Sequence, residues 1–329
     1  MQALYITQPG STIIRDLAEP RPASNEVLLK TRLIGFCGTD LSTFRGKNPL
    51  VSYPRIPGHE IAATVVETGE NVTVYPNTCC GKCASCLRGR TNACKFNQTL
   101  GVQRDGALAE YFVVPAEKVF RAPDLSLREL ALVEPLSVGF HAVERGRVVE
   151  SDTIAVIGCG MVGLGAIAAA AMRRAKIIAI DLEDRKLALA SKAGAHEIVN
   201  TRSLDVNEAV QRITDGFGPD VVIEAVGTPD TYRLAVELVA HTGRVVYIGW
   251  AKEPVSFETK LFVHKELDIL GSRNYANEFD SVIQMLTAKR FPVDETISRI
   301  VPLEEAGRAL ESWCDNPQAY TKILVDLDA

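Results

Sequence analysis

Residues 153–181 read TIAVIGCGMVGLGAIAAAAMRRAKIIAID and decide the fold of the region that contains them. The stretch begins with a short apolar run, 154–157, typical of a buried parallel strand. The pattern G-x-G-x-x-G that follows is formed by Gly158, Gly160 and Gly163. An alanine-rich segment with high helix propensity comes next, and a second apolar run, 177–180, ends on Asp181. This order predicts a strand, a tight turn, a helix and a second, parallel strand.

Each part of this unit suits the binding of a dinucleotide. The first glycine allows the tight turn, the second lets the backbone approach a pyrophosphate, and the third lets helix and strand pack closely. The helix that starts with Met161 and Val162 offers unpaired N–H groups and the positive end of its dipole to the phosphates. Asp181 can accept both ribose hydroxyls of NAD and would repel the 2′-phosphate of NADP. We therefore expect NAD; a glycine-rich turn in another α/β domain is the weaker alternative.

The composition is that of a soluble globular enzyme. A chain of 329 residues is long enough for two domains, and 47% hydrophobic with 23% charged residues are ordinary values. The net charge of −5 provides no positive surface for nucleic acid or an anionic membrane. No apolar run is long enough to span a bilayer, and the N-terminus lacks a basic region followed by an apolar core. We expect a cytoplasmic protein that binds neither nucleic acid nor membrane.

Five of the eight cysteines crowd between Cys79 and Cys94. In a reducing compartment such crowding indicates a metal site. The spacing C-x2-C-x2-C-x7-C is formed by Cys80, Cys83, Cys86 and Cys94. Four thiolates on one short lobe complete a tetrahedral zinc site with no open position, which predicts a structural zinc. A nucleic-acid zinc knuckle is the non-enzymatic alternative, disfavoured by the acidic net charge and the dinucleotide-binding stretch.

A second set of potential ligands occurs in GFCGTD and PGHE, where Cys37, His59 and Glu60 supply a thiolate, an imidazole and a carboxylate. This mixed set suits zinc, and three protein ligands with one open position describe a catalytic site. Each residue alone has an ordinary explanation, such as a small core cysteine or a loop histidine. Their joint occurrence predicts the catalytic metal.

GFCGTD and PGHEIAATVVETG resemble the zinc-containing medium-chain alcohol and polyol dehydrogenases. The match is closer to the sorbitol and threonine dehydrogenase branch, which carries a glutamate directly after the zinc-binding histidine, as in His59-Glu60. The resemblance covers essentially the whole chain and implies an α/β fold, with a Rossmann doubly wound parallel sheet and a mostly β GroES-like catalytic domain. The implied boundaries are 1–146 and 273–329 for the catalytic domain, 79–95 for its structural-zinc lobe, and 147–272 for the NAD-binding domain.

The resemblance also implies roles around the catalytic zinc. The residues placed near this metal are Cys37, His59, Glu60 and Glu134. Glu134, in EPLSVG, would face the zinc directly or through water; an acid at a helix start is its alternative role. Thr39 would be the hydroxyl next to the reacting oxygen, and Asp40 would orient the zinc-binding histidine.

The sequence departs from the family pattern in two places. Ser42 stands where many members have a histidine that helps to relay the proton to solvent. The segment ETGENVTVYPNTC is several residues shorter than usual, which implies either a true shortening near 70–73 or a loop absent from this sequence. The family spacing also selects Cys80 and leaves Cys79 as a spare thiol.

After residue 181 the chain continues to alternate strands and helices, which predicts six parallel strands in total. Val226 and Gly249 follow two of these strands at their carboxyl ends, where a cofactor crosses the sheet. Arg185 would lie against the adenine or be a solvated helix residue. Arg273 and Asn274 follow the last strand, and the family places this segment near the nicotinamide and substrate.

Arg273 can pair with a substrate carboxylate through two parallel hydrogen bonds, although a phosphate or subunit contact is equally favoured. The run GSRNYANEF is similar to members that oxidise L-galactonate or L-gulonate. We therefore expect zinc-dependent hydride transfer from a secondary alcohol of a sugar acid or polyol to NAD. The family resemblance also implies a homodimer or homotetramer. A threonine or neutral-polyol dehydrogenase is the alternative enzyme, and a non-catalytic NAD-binding sensor is the alternative outside that class.

Overall fold

The computed structural model describes residues 1–329, and the chain divides into two compact units. Unit 1 comprises Met1–Glu134 and Val293–Ala329, and unit 2 comprises Pro135–Pro292. Each unit has its own sheet and its own buried apolar core. The expected boundaries of the catalytic domain (1–146 and 273–329) and of the NAD-binding domain (147–272) remain predictions, since those domains are defined by function. No helix combines the length and the apolar character that crossing a membrane requires.

The elements follow one another in chain order. They are β1 (Gln2–Gln8), β2 (Ser11–Asp16), β3 (Glu26–Gly35), α1 (Gly38–Phe44), β4 (Glu60–Val65), β5 (Asn71–Val74), α2 (Ala84–Leu87), β6 (Tyr111–Pro115), β7 (Val119–Arg121), α3 (Leu127–Arg145), β8 (Thr153–Ile157), α4 (Met161–Met172), β9 (Lys176–Asp181), α5 (Asp184–Lys192), β10 (Glu197–Asn200), α6 (Val206–Ile213), β11 (Val221–Glu224), α7 (Pro229–Leu238), β12 (Arg244–Tyr247), α8 (Lys260–His264), β13 (Asp268–Gly271), α9 (Phe279–Thr287), α10 (Val293–Thr296), β14 (Ile297–Pro302), α11 (Ala306–Asp315) and β15 (Lys322–Asp326). Single 3₁₀ turns lie at Thr91–Ala93, Ala116–Lys118 and Leu303–Glu305.

Unit 2 is built on a sheet of six parallel strands in the order β10-β9-β8-β11-β12-β13. All six strands expected from the sequence are present, so the doubly wound parallel sheet is confirmed. The strand order changes direction between β8 and β11. In open α/β sheets this switch point opens a crevice at the carboxyl ends of the strands.

Two glycines of the turn after β8 stand where a residue with a side chain would be strained or would clash with the backbone. Gly158 has φ +94°, a backbone conformation that favours glycine. A Cβ at Gly163 would lie 1.8 Å from the carbonyl oxygen of Gly158, so helix α4 can start against its strand only with glycine there. A Cβ at Gly139 of α3 would lie 2.2 Å from the Ala166 nitrogen, which shows how closely α3 and α4 pack.

Unit 1 contains a seven-stranded sheet, which runs β14-β15-β3-β4-β5-β7 with β6 also paired to β3. All pairings are antiparallel except β14 with β15, and β1 and β2 form a separate hairpin. The ten-residue strand β3 pairs with β6 through its first half and with β15 through its second. The mostly β character expected for this unit is confirmed.

The short segment after β4 closes as a complete hairpin. Residues 66–70 connect β4 to β5, and Ala63 and Thr64 pair with Val72 and Asn71. The backbone N–H of Val65 donates to the carbonyl of Glu70 at 2.9 Å. The shortened segment therefore keeps the antiparallel pairing without further residues.

Helix α3 begins earlier than the alternative role of Glu134, an acid at a helix start, requires. It starts at Leu127 and continues through Pro135, so Glu134 lies well inside the helix and not at its start. The start is capped reciprocally: Ser126 N–H donates to the Glu129 carboxylate, and Glu129 N–H donates to the Ser126 hydroxyl. This S-x-x-E capping box is the local signal for the true helix start.

Candidate metal and cofactor sites

The four cysteines of the lobe form a compact group of metal-binding side chains. Their sulfur atoms all lie within 4.8 Å of one another, and the group is Cys80, Cys83, Cys86 and Cys94. Cys79 lies outside the group and is exposed. Such an all-thiol set fits a closed tetrahedral zinc site.

Backbone N–H groups and one hydroxyl donate hydrogen bonds to the sulfur atoms of this lobe. The N–H groups of Cys80 and Phe96 each donate to the Cys94 sulfur at 3.3 Å. The Ser85 hydroxyl and nearby backbone N–H groups lower the pKa of Cys83 to about 5, because they stabilise its thiolate. Burial, with the neighbouring sulfurs, raises the pKa of Cys86 to about 12. A divalent cation would reverse this last effect by binding the thiolate directly.

Cys37 caps the start of helix α1, and Thr39 and Asp40 are fixed in its first turn. The Cys37 N–H donates to Asp40 Oδ2 at 2.9 Å, and Thr39 Oγ1 lies 3.7 Å from Cys37 Sγ. Asp40 is fully buried, and this burial raises the pKa of its carboxyl, partly offset by His59. The sequence GFCGTD thus places a thiol, a hydroxyl and a carboxylate on one helical turn.

His59 lies beside this turn and is 4% exposed. Its Nδ1 lies 3.9 Å from Asp40 Oδ1, and both atoms are buried without a hydrogen-bond partner. Burial alone would lower the pKa of His59, but Asp40 and Cys37 raise it well above its usual value. Because Nδ1 faces a carboxylate, Nε2 is the ring nitrogen that remains available to a metal. Such an arrangement fits a zinc-binding histidine with a carboxylate behind it.

Glu60 has a buried cation as its partner. Lys322 Nζ lies 2.7 Å from Glu60 Oε1 and 2.5 Å from Oε2, and it also donates to the carbonyl of Phe36 at 3.0 Å. The side chains of Lys322 and Glu60 are only 2% and 1% exposed. A Cβ at Gly35 would lie 2.0 Å from Glu60 Oε2, so glycine provides the space for this carboxylate. Zinc binding by Glu60 remains a prediction.

Glu134 approaches the same region from helix α3. It is 7% exposed, and its charge helps to raise the pKa of His59. The four predicted ligands of the catalytic zinc therefore come from three segments of unit 1, since His59 and Glu60 are adjacent in the chain. Two of them, Cys37 and Glu134, act electrostatically on a third, His59.

Residues predicted to bind the dinucleotide meet at the carboxyl ends of β8 and β9. Asp181 Oδ2 accepts the N–H of Cys159 at 2.7 Å, which joins the acid to the glycine turn. Its Oδ1 accepts the N–H groups of Leu182 and Glu183 at 2.8 and 3.0 Å. Helix α4 begins at Met161, and its N-cap residue, Gly160, supplies no side-chain cap, so first-turn N–H groups remain for phosphates. These features fit NAD.

The other predicted residues of unit 2 occupy the same edge of the sheet or the helix after β9. Val226 follows β11 and is 48% exposed, whereas Gly249 follows β12 and is half-buried. Arg273 is exposed after β13, and Asn274 has φ +49°, a conformation that asparagine tolerates. Arg185 is exposed on α5.

Sequence reasoning missed three buried polar groups. Lys322 lies in the closing strand and pairs with Glu60. His141 Nδ1 lies 2.7 Å from Glu278 Oε1 and forms a buried polar contact. Glu224 is completely buried at the end of β11. A charged residue in an otherwise apolar strand was the available signal for Lys322 and Glu224.

Comparisons with known proteins agree with this geometry. Residues 23–124 match the alcohol dehydrogenase GroES-like domain, and residues 161–288 match the zinc-binding dehydrogenase family. Sorbitol dehydrogenase of Bacillus subtilis is 34% identical over 341 residues, covering 99% of this chain and 97% of the relative. L-Galactonate-5-dehydrogenase of Escherichia coli is 30% identical over 335 residues, with 99% and 98% covered.

A solved structure gives the same result for the fold. The alcohol dehydrogenase rspB of E. coli CFT073, complexed with the cofactor NADH, superimposes with a TM-score of 0.91 at 29% identity, covering 99% of both chains. The matched GroES-like region includes the cysteine lobe, and the second matched region begins at Met161, directly after the first two glycines of the turn. The chain therefore belongs to the zinc-type medium-chain alcohol and polyol dehydrogenase family, oxidoreductases that act on CH–OH groups.

Proposed function

We propose that the protein oxidises a secondary alcohol of a sugar acid or polyol with NAD, using one catalytic and one structural zinc. The observation that carries this proposal is the environment of His59, a buried imidazole with Asp40 behind it and Cys37 and Glu134 acting on it. A zinc ion bound there supplies a Lewis acid that lowers the pKa of a substrate hydroxyl. NAD supplies the hydride acceptor.

The side chains of α1 would handle the proton of the substrate. Thr39 offers a hydroxyl at the first turn of the helix, next to the Cys37 sulfur, where it accepts the proton of the reacting alcohol. Ser42 follows three residues later, so it shares a helix face with Thr39 and provides a second hydroxyl for the relay. Asp40, whose Oδ1 lies 3.9 Å from His59 Nδ1, would orient the ring so that Nε2 faces the metal.

Asp181 supports NAD as the cofactor. Its carboxylate accepts three backbone N–H groups, two on Oδ1 and one on Oδ2, so a lone pair on Oδ2 remains for a ribose hydroxyl. The same negative charge disfavours the 2′-phosphate of NADP. Val226, Gly249 and Asn274 lie at the sheet edge where the rest of the cofactor would bind.

Arg273 supports a substrate that carries a carboxylate. The side chain is exposed just after β13, and arginine pairs with carboxylates through two parallel hydrogen bonds. The relative that acts on L-galactonate favours a sugar acid, whereas the sorbitol dehydrogenase favours a neutral polyol. A neutral polyol or threonine is therefore the second candidate substrate.

The test measures NADH formation with a panel of aldonates, neutral polyols and threonine, using zinc-loaded and chelator-treated protein in parallel. We expect zinc-dependent turnover of an aldonate with NAD and much slower turnover with NADP. The variant Arg273→Gln should lose activity on the acid and retain activity on neutral polyols. Equal loss on both classes would refute the carboxylate pairing. No turnover, with zinc only in the cysteine lobe, would favour a non-catalytic NAD-binding protein.

A further inference from the structure

Glu224 is a buried acid that the proposed chemistry does not use. It is the last residue of β11 and has no exposed surface. In the parallel register it lies beside Ile157 of β8 and Tyr247 of β12. Both neighbours are the last residues of their strands, immediately before the segments that contain Gly158 and Gly249. Glu224 therefore lies at the switch point of the sheet, below the loops that the cofactor would cross.

The carboxylate and the backbone of Glu224 hold two different loops. Its Oε1 accepts the N–H groups of Val226 at 2.9 Å and Gly227 at 2.7 Å, which fixes the loop after β11. Its backbone carbonyl accepts the N–H groups of Ile248 at 2.9 Å and Gly249 at 3.1 Å, which fixes the segment after β12. Four hydrogen bonds to one residue thus determine the relative position of both segments.

Steric contacts connect these loops to the glycine turn. A Cβ at Gly249 would lie 2.2 Å from the Gly227 nitrogen and 2.5 Å from Glu224 Oε2, so the two loops and the carboxylate are in direct contact. A Cβ at Gly158 would lie 2.6 Å from Val226 Cγ2. Val226, which the Glu224 carboxylate holds through its N–H, therefore packs against the first glycine of the phosphate-binding turn.

We propose that Glu224 is a positioning residue for the dinucleotide, acting through the loop 225–228 and not by touching the cofactor. The inference rests on the proposed binding of NAD. Because Glu224 is fully buried, its contribution is to keep Val226 and Gly227 where they complete the binding edge beside Gly158. Loss of the acceptor would leave two N–H groups unpaired and allow the loop to move.

Three substitutions of Glu224 distinguish the effect of its hydrogen-bond acceptor from the effects of its side-chain volume and its charge. Glu224→Gln keeps an oxygen for the two N–H groups, whereas Glu224→Leu keeps most of the volume and removes the acceptor. Glu224→Asp keeps the charge but shortens the side chain, so that the acceptor no longer reaches both N–H groups; it is the milder variant if the leucine protein does not fold. The control is Asp152→Leu, since Asp152 is a buried acid at the opposite end of β8, where it accepts the Val149 N–H and pairs with Arg244.

The experiment titrates NADH into the zinc-loaded full-length protein and follows NADH fluorescence, with the Tm of each variant measured in parallel. We expect Glu224→Leu to raise the Kd for NADH about tenfold or more, Glu224→Asp to raise it several-fold, and Glu224→Gln to stay within about threefold of the native protein. Asp152→Leu should lower the Tm while leaving the Kd within about twofold of the native value.

Three results would overturn the inference in different ways. If Glu224→Leu and Glu224→Asp lower the Tm but bind NADH as the native protein does, Glu224 is a structural residue only. If the native protein itself does not bind NADH, the proposed cofactor is wrong and the positioning role fails with it. A Kd raised as much by Asp152→Leu as by Glu224→Leu would also contradict a specific role.

Discussion

The two candidate metal sites of unit 1 differ in how their side chains are held. In the cysteine lobe, four sulfurs from one short segment already lie within 4.8 Å of one another and accept backbone N–H groups. Around His59 the side chains come from distant segments, two polar atoms are buried without partners, and Glu60 is paired with Lys322. The lobe resembles a closed structural site. The His59 region resembles an open site, in which the Glu60 carboxylate is bound by Lys322.

This difference indicates what each metal would contribute. A closed set of four thiolates leaves no position for substrate, so its metal can only stabilise the local fold. An open set with a carboxylate behind the histidine leaves a position for a reacting oxygen. Damage to the lobe should therefore change stability, whereas damage around His59 should change activity.

The largest expected effect is the loss of turnover in Cys37→Ser. Removing this ligand removes most of the Lewis-acid contribution of several kcal/mol, so kcat/KM should fall by about a thousandfold or more. The Tm should change little, and metal analysis should find one zinc per chain. Cys79→Ser, which alters an exposed thiol outside the lobe cluster, is the matched control and should retain full activity. Retained activity in Cys37→Ser would remove the distinction between the two sites.

Cys86→Ser should show the opposite behaviour. Cys86 is buried within the lobe, so its loss should release the lobe zinc and lower the free energy of unfolding by several kcal/mol. Protein that remains folded should keep the zinc near His59. The measurements are zinc content and urea unfolding of the purified variant. A variant with two zinc ions and native stability would show that the lobe does not need its four thiolates.

The Glu60–Lys322 pair should behave as a buried ion pair. Lys322→Met leaves the Glu60 carboxylate buried without its cation and should lower the free energy of unfolding by about 3–5 kcal/mol. The double variant Glu60→Gln with Lys322→Met removes both charges and should recover most of that loss. Urea unfolding checks both proteins. If the single variant is as stable as the native protein, Glu60 has found another partner, and zinc becomes the first candidate.

The smallest expected effect is a pH dependence of zinc retention by the lobe. The pKa of Cys83 is lowered to about 5, so its thiolate is favoured above that pH and protonated as the pH falls through it. Protons compete with the metal for thiolates, so lobe zinc should be retained near neutral pH and released as the pH falls into the acid range. Ser85→Ala removes the hydroxyl that stabilises this thiolate and should move the release to higher pH. Identical release curves would contradict the role of Ser85.

Local patterns predicted much of the fold and of the candidate sites. The glycine turn and Asp181 lie within one short segment, 158–181, and the four lobe cysteines lie within another, 80–94. In such short segments the spacing of residues along the chain determines which side chains come together. The alternative role of Glu134 as an acid at a helix start is wrong, because the Ser126–Glu129 capping box, which marks the true start of α3, was overlooked.

The remaining features depend on contacts that no local pattern encodes. Glu60 and Lys322 are 262 positions apart, and His141 and Glu278 are 137 positions apart. Each pair is brought together only by the tertiary fold. A charged residue inside an apolar strand indicates that a buried partner exists, but the identity of that partner becomes known only when the strands are assembled.

The Asp181 carboxylate has a consequence for redesign of the protein. The oxygens that would choose between two cofactors also accept three backbone N–H groups, one of them from the glycine turn. The two Asp181 oxygens thus determine both the choice between NAD and NADP and the position of the surrounding backbone. An exchange that only removes the charge, such as Asp181→Ala, would loosen the turn while it admits the extra phosphate. A successful conversion to NADP therefore has to replace the lost acceptors as well as add a cation, and single substitutions should yield weak binders of both cofactors.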